Sequence, residues 1–358
     1  MLLPWAVLAA AVVSGDYEAL IRQYAAGEET AAVEPLATWR AAELDRQVRA
    51  LQRAAKAGPP CPSCPDPLDE LPLKAAVMVH ADRDLVERPR SQGTEQPRPC
   101  PGEHARRAGQ IAAILATRDG PRNFAQRFFL AMAHRSQWDF CLDAAQQWAR
   151  DGLARFSRDP SLLLTLGAAL EEKATLGAVP PGPPRVFPVR RVRGLEDPSG
   201  DRTTWFGEAE RVLSEAVAAD PQMVEARIRL GRVQWRLAKD DLARRTLEDA
   251  LRLGGAPPLP HLGHLFLGQV FERAGRVKDA IREFEGALVL EPESQSAAVA
   301  LSHALLSSGN AEGAGRALEK ALAQATRRGE RDPYWDYPAS NAASPDETFL
   351  ALRREARE

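Results

Sequence analysis

An alanine recurs at a nearly constant interval in the second half of the chain, and this interval restricts the folds available to the sequence. One set of positions is Ala209, Ala243, Ala280 and Ala314; a second set, with the same steps of 34, 37 and 34 residues, is Ala216, Ala250, Ala287 and Ala321. Self-similarity at such a period marks stacked units, each of which buries its apolar face on its neighbours. The sequence therefore predicts a repeat array in this half of the chain.

One unit, from Pro257 to Pro292, shows the pattern most completely. Two helical patterns flank a turn at Gly275; the first carries Leu267, Gly268 and Phe271, and the second carries Ala280, Phe284 and Ala287. Small residues let two helices approach closely, and large apolar residues fill the space between them. Each unit is therefore predicted to be a helix-turn-helix pair.

The same positions recur in the other units. The first-helix motif reads Leu166-Gly167, Leu230-Gly231, Leu267-Gly268 and Leu301-Ser302, and the large apolar position reads Leu213, Leu247, Phe284 and Leu318. This spacing resembles the tetratricopeptide repeat over roughly residues 159 to 325. The resemblance implies an all-α solenoid that forms a right-handed superhelix. It also implies that the residues just named, together with Pro292 at the end of one unit, are the packing positions of the repeats.

The rest of the chain is predicted to form helical and linker segments on both sides of the repeats. The predicted segments are a signal peptide (1–15), a helical hairpin (16–57), a Pro- and Cys-rich linker with a short helix at Leu73–Leu85 (58–103), helices that form a divergent repeat (104–158), the repeats (159–222 with an insertion at 177–204, 223–257, 261–294 and 295–325) and a C-terminal cap (326–358). Tyr334, Trp335 and Tyr337 are assigned to the cap, because a solenoid needs an element that covers its last apolar face.

Charge and hydropathy narrow the function classes. A formal net charge of −2 disfavours a general nucleic-acid binder, which is usually strongly basic. The insertion holds a local basic cluster, Arg185, Arg190, Arg191 and Arg193, which fits either a solvated surface loop or a docking segment for an acidic partner. After the N-terminus the sequence has no run of eighteen apolar residues, so no internal membrane span is predicted.

The first thirteen residues, Met1–Val13, form a short apolar run that ends at Ser14-Gly15. This pattern predicts a secretory signal peptide and an exported, periplasmic or secreted protein, although the run lacks a preceding Lys or Arg. The alternatives are a buried N-terminal helix in a cytoplasmic protein, a misassigned start, or an uncut segment that tethers the chain to the membrane.

The four cysteines leave three interpretations open. Cys61, Cys64, Cys100 and His104 form a C-x2-C…C-x3-H pattern that could supply four tetrahedral zinc ligands. In an exported protein, one or two structural disulfides among Cys61, Cys64, Cys100 and Cys141 are favoured instead, and free thiols are the third option. Prolines surround the C-x-x-C pair, and no β-α-β pattern accompanies it, which disfavours a thioredoxin-like redox site.

The family resemblance implies that the first helices line a concave groove for a peptide or protein segment. The groove residues projected in this way are Arg232, Trp235, Arg236, Gln269, Glu272, Arg273 and His303, with Ile228, Leu265 and Val299 further inside. Arginines and a tryptophan beside an apolar floor suit a segment with a carboxylate and a hydrophobic side chain.

The sequence thus predicts a non-catalytic scaffold for protein–protein interaction, with no cofactor. Motifs for an activated nucleophile, a phosphate-binding glycine loop or paired catalytic carboxylates do not stand out. Two alternatives remain: a metal- or redox-linked helical protein that uses the cysteine set, and an accessory subunit that docks a catalytic partner.

Overall fold

The computed structural model describes residues 70–86, 100–116, 124–176, 201–325, 332–337 and 345–356, and all regular secondary structure in these ranges is helical. The predicted all-α fold is confirmed. The predictions for residues 1–57, for Cys61 and Cys64, and for most of the insertion at 177–204, including its arginine cluster, lie outside the described residues.

The described residues form fourteen helices. In chain order they are α1 (Glu70–Val86), α2 (Glu103–Leu115), α3 (Phe124–Trp138), α4 (Leu142–Leu153), α5 (Pro160–Leu176), α6 (Asp201–Ala219), α7 (Val224–Arg236), α8 (Asp240–Leu253), α9 (Leu259–Arg273), α10 (Val277–Leu290), α11 (Gln295–Ser307), α12 (Ala311–Ala325), α13 (Pro333–Asp336) and α14 (Pro345–Glu355). They divide into unit one, with α1–α4 and α14, and unit two, with α5–α13.

In unit one, α1 pairs with α2, α3 pairs with α4, and α14 packs on α3 and α1. The helix predicted at Leu73–Leu85 is present as α1, which is a few residues longer, and its central residues 75–82 are buried. The prolines that flank it stop the helix at its ends but do not prevent a buried apolar face between them.

Helix α14 corrects the predicted C-terminal cap. Its apolar residues Phe349 and Leu352 are buried in unit one, and Arg353 donates to the buried carboxylate of Asp82 at 2.6 Å. Glu355 pairs with Lys74 at 3.2 Å. The last part of the predicted cap, α14, therefore completes the core of unit one.

In unit two, consecutive helices pair as α5–α6, α7–α8, α9–α10 and α11–α12, and each pair packs on the next. The repeated glycines lie where the two helices of a pair meet. A Cβ at Gly167, Gly231 or Gly268 would lie 2.6, 2.6 or 2.4 Å from the side chains of Leu213, Leu247 and Phe284, respectively. Only glycine permits this approach, so the sequence register marks the contact between the two helices.

The turns inside the pairs share one geometry. Ala238, Gly275 and Gly309 have positive φ angles of 59°, 72° and 86°. The amide of the following residue reaches back five positions in each turn, as in Arg276 N to Phe271 O at 2.9 Å. This left-handed residue followed by a backward hydrogen bond is a helix C-terminal motif that favours glycine.

The α3–α4 turn repeats this geometry in unit one. Phe140 has a φ of 57°, and the Cys141 amide donates to Ser136 O at 2.8 Å. The α3–α4 pair is thus joined in the same way as the pairs of unit two, a resemblance that the sequence pattern of residues 104–158 suggested only weakly.

The last described pair departs from the pattern at its glycine position. Ser302 stands there, and its hydroxyl donates to Ala314 O at 2.8 Å. The large apolar residue opposite, Leu318, is 43% exposed, whereas Leu247 and Phe284 are fully buried.

The glycine contact gives a direct test of this packing. Gly268→Ala is expected to destabilise unit two by about 1–3 kcal/mol, because its Cβ would overlap the buried ring of Phe284. Thermal unfolding followed by circular dichroism measures the change. The matched control is Gly207→Ala, which meets nothing within 4 Å in the middle of a helix and should be neutral or stabilising by about 0.5–1 kcal/mol. Equal shifts in the two variants would contradict the packing.

Candidate functional site

The first helices of unit two hold a segment of the chain itself. Asp332–Tyr337, called the docked segment from here on, contacts four successive first helices, α5, α7, α9 and α11. The face formed by these helices, called the first-helix face, is the surface on which the sequence placed the binding groove. Part of that face is therefore already occupied.

The acidic end of the docked segment caps two helices. The Oδ2 atom of Asp332 accepts a hydrogen bond from the Ser296 amide at 2.6 Å and one from the Ser294 hydroxyl at 3.2 Å, both at the start of α11. Its Oδ1 atom accepts from the Tyr334 amide at 2.9 Å. A carboxylate at a helix N-terminus satisfies free amide donors and interacts favourably with the helix dipole.

The aromatic residues of the docked segment pack on α9 and α7. The rings of Tyr334 and Tyr337 meet Phe266 edge to face, with centroids 6.1 and 5.1 Å apart. The guanidinium groups of Arg229 and Arg232 lie over the Tyr337 ring, 4.4 and 4.9 Å from its centroid. Tyr337 is thus held between an aromatic edge and two cations, an arrangement favoured by the charge distribution of the ring.

A buried ionic network surrounds the Tyr337 phenol. Glu171 of α5 pairs with Arg229 at 3.1 Å and with Arg232 at 2.6 Å, and the side chains of Glu171 and Arg229 are only 1% exposed. The Tyr337 hydroxyl donates to Glu171 at 2.8 Å, and Arg229 donates to the Tyr337 carbonyl at 2.7 Å. Glu225 supplies a second carboxylate to Arg229 at 2.9 Å, so two negative groups face two positive ones.

Burial and the neighbouring Glu171 carboxylate raise the pKa of Tyr337 well above its usual range, against the opposing effect of Arg229 and Arg232. Burial disfavours the charge on the two arginines, but the negative groups around them outweigh it and raise the pKa of each guanidinium. The arrangement therefore holds Tyr337 neutral and both arginines charged.

The raised pKa of Tyr337 predicts a loss of stability at high pH. An unfolded tyrosine ionises near pH 10, whereas Tyr337 in the network does not. Its contribution is complete below pH 10 and then falls by up to about 1.4 kcal/mol per pH unit as the pH rises further. Thermal melts from pH 8 to 11 should show the advantage of wild type over Tyr337→Phe shrinking above pH 10. A constant difference across that range would contradict the network.

Arg232, which the sequence placed in an open groove, lies in this network and is 7% exposed. The prediction of an accessible guanidinium was wrong, because Glu171 on the preceding first helix supplies a buried counter-charge. Of the positions expected further inside, Ile228 and Leu265 are buried, whereas Val299 is 51% exposed and was placed too deep.

The other predicted groove residues form two groups. Arg273 pairs with Asp240, donates to the Trp235 carbonyl and lies 4.8 Å from the Trp235 ring centroid. Arg236 lies over the Trp235 ring as well, at 5.9 Å, and burial followed by the charges of Arg232 and Arg202 lowers its pKa.

The second group is on α9 and α11. His303 contacts Glu272 at 2.6 Å, and Gln269 is partly exposed on α9. The seven projected residues therefore comprise the buried Arg232, a group around Trp235 and a group around Glu272.

Sequence reasoning missed the residues that hold the docked segment, chiefly Glu171, Arg229, Phe266 and Asp332. One signal for Glu171 was available, since its carboxylate follows an apolar run, Leu162–Leu170, on a helix that must be buried. A charge in such a position needs a partner. The sequence did not show that this partner would come from α7 and from the C-terminal region.

The repeat-packing residues are placed as the register requires. Buried ones are Leu230, Gly231, Ala243, Ala250, Leu267, Gly268, Phe271, Ala280, Phe284, Ala287, Leu301 and Ala314, whereas Pro292 is exposed beyond the end of α10. The side chain of Ala321 lies outside the described residues.

Cys100 forms a disulfide with Cys141, with their Cα atoms 5.5 Å apart. It links the start of α2 to the residue before α4 in unit one. Cys100 therefore has no thiolate to offer, which overturns the zinc set of Cys61, Cys64, Cys100 and His104.

His104 stacks on His80 with ring centroids 6.2 Å apart. Within the described ranges, no group of three or more His, Cys, Asp or Glu side chains is arranged to hold a metal ion.

Among the helices that the structure describes, none combines the length and the apolar character needed to cross a membrane.

Comparison with known proteins identifies the repeats. A family model described as the tetratricopeptide repeat matches residues 206–258, 235–295 and 265–333. These matches cover the pairs α7–α8, α9–α10 and α11–α12, and they reach the start of the docked segment. Most of the α5–α6 pair lies outside them. A search of curated protein sequences found no match.

Solved structures with a similar arrangement include MamA proteins and YrrB. A crystal structure of MamA is 17% identical, with a TM-score of 0.42, and the match covers 57% of this chain and 97% of that one. MamA from Desulfovibrio magneticus RS-1 is 16% identical, with a TM-score of 0.43 and the same coverage. YrrB, described as a TPR protein with an unusual peptide-binding site, is 15% identical, with a TM-score of 0.38 and coverage of 56% and 87%.

The family matches, the glycine contacts and the shared turn geometry agree on the same helix pairs. Residues 206–333 carry tetratricopeptide repeats, since the model of that family matches them.

Proposed function

We propose that this chain is a non-catalytic scaffold that binds a segment of another protein on the first-helix face of unit two. The observation that carries the proposal is the docked segment. The surface holds this segment through a helix-capping carboxylate, two aromatic contacts and a hydrogen bond from a tyrosine hydroxyl, and this chemistry suits peptide recognition. Membership of a repeat family whose arrays serve as interaction scaffolds supports it.

The accessible part of the first-helix face lies on α9 and α11, beside the docked segment. Val299 is 51% exposed, and the side chains of His303 and Arg273 are 68% and 36% exposed. An apolar side chain among charged ones of both signs suits a partner segment with an apolar anchor and charged flanks. These residues replace the buried Arg232 as the proposed points of contact.

A photo-crosslinking experiment tests this placement. A benzophenone amino acid is introduced at Val299 on the first-helix face or, as the matched control, at Val289 on the second helix α10, where the side chain is 79% exposed. The full chain is expected to form a discrete adduct with a protein of the native cell from position 299 and not from position 289. The same adducts from both positions, or none from 299, would overturn the proposal.

Mass spectrometry of the adduct then distinguishes the two kinds of scaffold that the sequence left open. An enzyme captured at position 299 makes the chain an accessory subunit that docks a catalytic partner. A captured protein without catalytic machinery makes it a scaffold for another assembly.

We also propose export of the chain, as the apolar N-terminal run predicts. The Cys100–Cys141 disulfide supports this, because structural disulfides persist mainly in oxidising compartments. Intact mass of protein purified from its native cell tests the idea. We expect a chain that lacks about fifteen N-terminal residues and in which two thiols are oxidised to a disulfide, with the loss of two hydrogen atoms. A full-length, fully reduced chain would contradict it.

A further inference from the structure

We infer that the docked segment is an internal ligand, which occupies the site of a partner segment with the same chemistry. That chemistry is an acidic residue followed by proline and tyrosine, with a second tyrosine three positions further on, as in Asp332-Pro333-Tyr334 and Tyr337. The inference rests on the proposed function and specifies its partner class. It makes the C-terminal region a gate on the scaffold's own binding face.

The first support is the way in which the docked segment is held. Asp332, Tyr334 and Tyr337 contact Glu171 on α5, Arg229 and Arg232 on α7, Phe266 on α9 and the N-terminal turn of α11. The first helix of each successive pair therefore contributes at least one contact. An array of repeats reads a bound segment in this way, with each unit supplying a part of the site.

The second support is the kind of contact that each end makes. Asp332 places its carboxylate on the Ser296 amide, so the position needs a side chain with an acceptor oxygen, and the helix dipole favours an acidic one. Tyr337 fits its ring between Phe266 and the guanidinium groups of Arg229 and Arg232, and its hydroxyl donates to Glu171. Phenylalanine would keep the ring contacts but lose this hydrogen bond, so the site selects tyrosine.

The third support is the composition of the site that receives the segment. Without an aromatic side chain from the segment, Arg229, Arg232 and Glu171 would face solvent beside Phe266. Arginine and aromatic residues are enriched among those that contribute most of the binding energy at protein interfaces. The docked segment covers them as a partner's anchor residues would.

Covalent attachment gives the internal ligand an advantage over a partner. A tethered segment has an effective concentration in the millimolar range, so a free segment of equal intrinsic affinity binds with an apparent Kd of about that size. A change that weakens the tethered segment tenfold lowers the apparent Kd for the free one about tenfold, because the site itself is unchanged. The competition can therefore be measured with one peptide.

The experiment uses the full chain and a fluorescent peptide with the sequence of residues 331–338, with binding measured by fluorescence anisotropy. Asp332→Ala and Tyr337→Phe, each in the full chain, are expected to lower the apparent Kd for the wild-type peptide about five- to tenfold, as loss of a cap or a charge-assisted hydrogen bond would. A peptide in which alanine replaces Asp332, or phenylalanine replaces Tyr337, should not show this tighter binding to the variant chains.

The matched control is Asp159→Ala. Asp159 caps α5 by accepting from the Leu162 amide at 2.9 Å, and it lies in the same unit as the docked segment. This variant loses the same type of cap, so it should bind the peptide as wild type does. Equal gains in Asp159→Ala and Asp332→Ala would overturn the inference, because a general loosening of unit two would then explain them.

A folded Asp332→Ala chain, checked by circular dichroism, that binds the peptide no more tightly than wild type would also overturn the inference. That result is separate from the crosslinking test of the proposed function: capture at position 299 can succeed when peptide exchange fails. Where both ideas hold, Asp332→Ala should increase either the yield of the adduct at position 299 or the binding of a partner at the site that the docked segment leaves.

Discussion

Replacing Glu171 with alanine is expected to lower the free energy of unfolding of unit two by about 3–5 kcal/mol. The Glu171 side chain is 1% exposed, forms ion pairs with Arg229 and Arg232, and accepts a hydrogen bond from the Tyr337 hydroxyl. Alanine would leave two buried guanidinium groups with one remaining carboxylate of the network, Glu225, which pairs with Arg229. Breaking a buried ion pair from one side costs more than the pair itself contributes, since the remaining charge stays out of water.

Urea unfolding, monitored by circular dichroism at 222 nm, measures this loss. The matched control is Glu215→Ala on α6, where the carboxylate is 49% exposed and pairs with an exposed Arg211. A surface pair of this kind contributes about 0–1 kcal/mol, so the control should unfold nearly as wild type does. Similar unfolding midpoints for the two variants would show that Glu171 does not lie in a buried network.

The second large effect is expected from Ala280→Trp. Ala280 is fully buried where α10 meets α9 in the most complete repeat, and its position leaves no room for a bulky ring. Forcing large groups into a well-packed contact costs about 1–3 kcal/mol, and an indole in the place of a methyl group should reach about 3 kcal/mol or more. We expect a clear drop in the Tm of unit two.

The control for Ala280→Trp is Glu285→Trp on the same helix. Glu285 is exposed, so its replacement should change stability by no more than about 0.5 kcal/mol. An unchanged Tm in Ala280→Trp would mean that the alanine positions are not the contact between the helices, and that the register of the whole array is misplaced.

The repeat register could be predicted from the sequence because its physical basis is local. Gly268 and Phe284 are sixteen residues apart and belong to one helix pair, so their sizes alone show which positions must touch. The Gly275 turn is local as well, since a left-handed residue between two helical patterns favours glycine. Packing at the centre of each unit therefore followed from small, large and turn positions.

The docked segment could not be predicted in this way. Tyr334 and Tyr337 were read as a cap because aromatic residues near the end of a solenoid are expected to cover an apolar face. Glu171, the partner of Tyr337, lies 166 residues away in the chain, and no periodic pattern connects the two. Arg232 was read as accessible for a similar reason, because an arginine on a helix is usually exposed and its buried counter-charge lies on another helix pair.

The placement of α14 in unit one was equally non-local. Its helical pattern was visible, but Arg353 meets Asp82 across 271 positions. Amphipathicity predicts that a helix buries one face, and it does not say which core receives that face.

Hydrogen exchange at the start of α11 tests the central claim, that the docked segment lies on the first-helix face. The Ser296 amide donates to Asp332, so we predict slow exchange of this amide in the wild-type chain and much faster exchange in Asp332→Ala, with no change in the α9–α10 pair. Equally fast exchange of the Ser296 amide in both proteins would contradict the account, because the docked segment would then not hold the site that its contacts define.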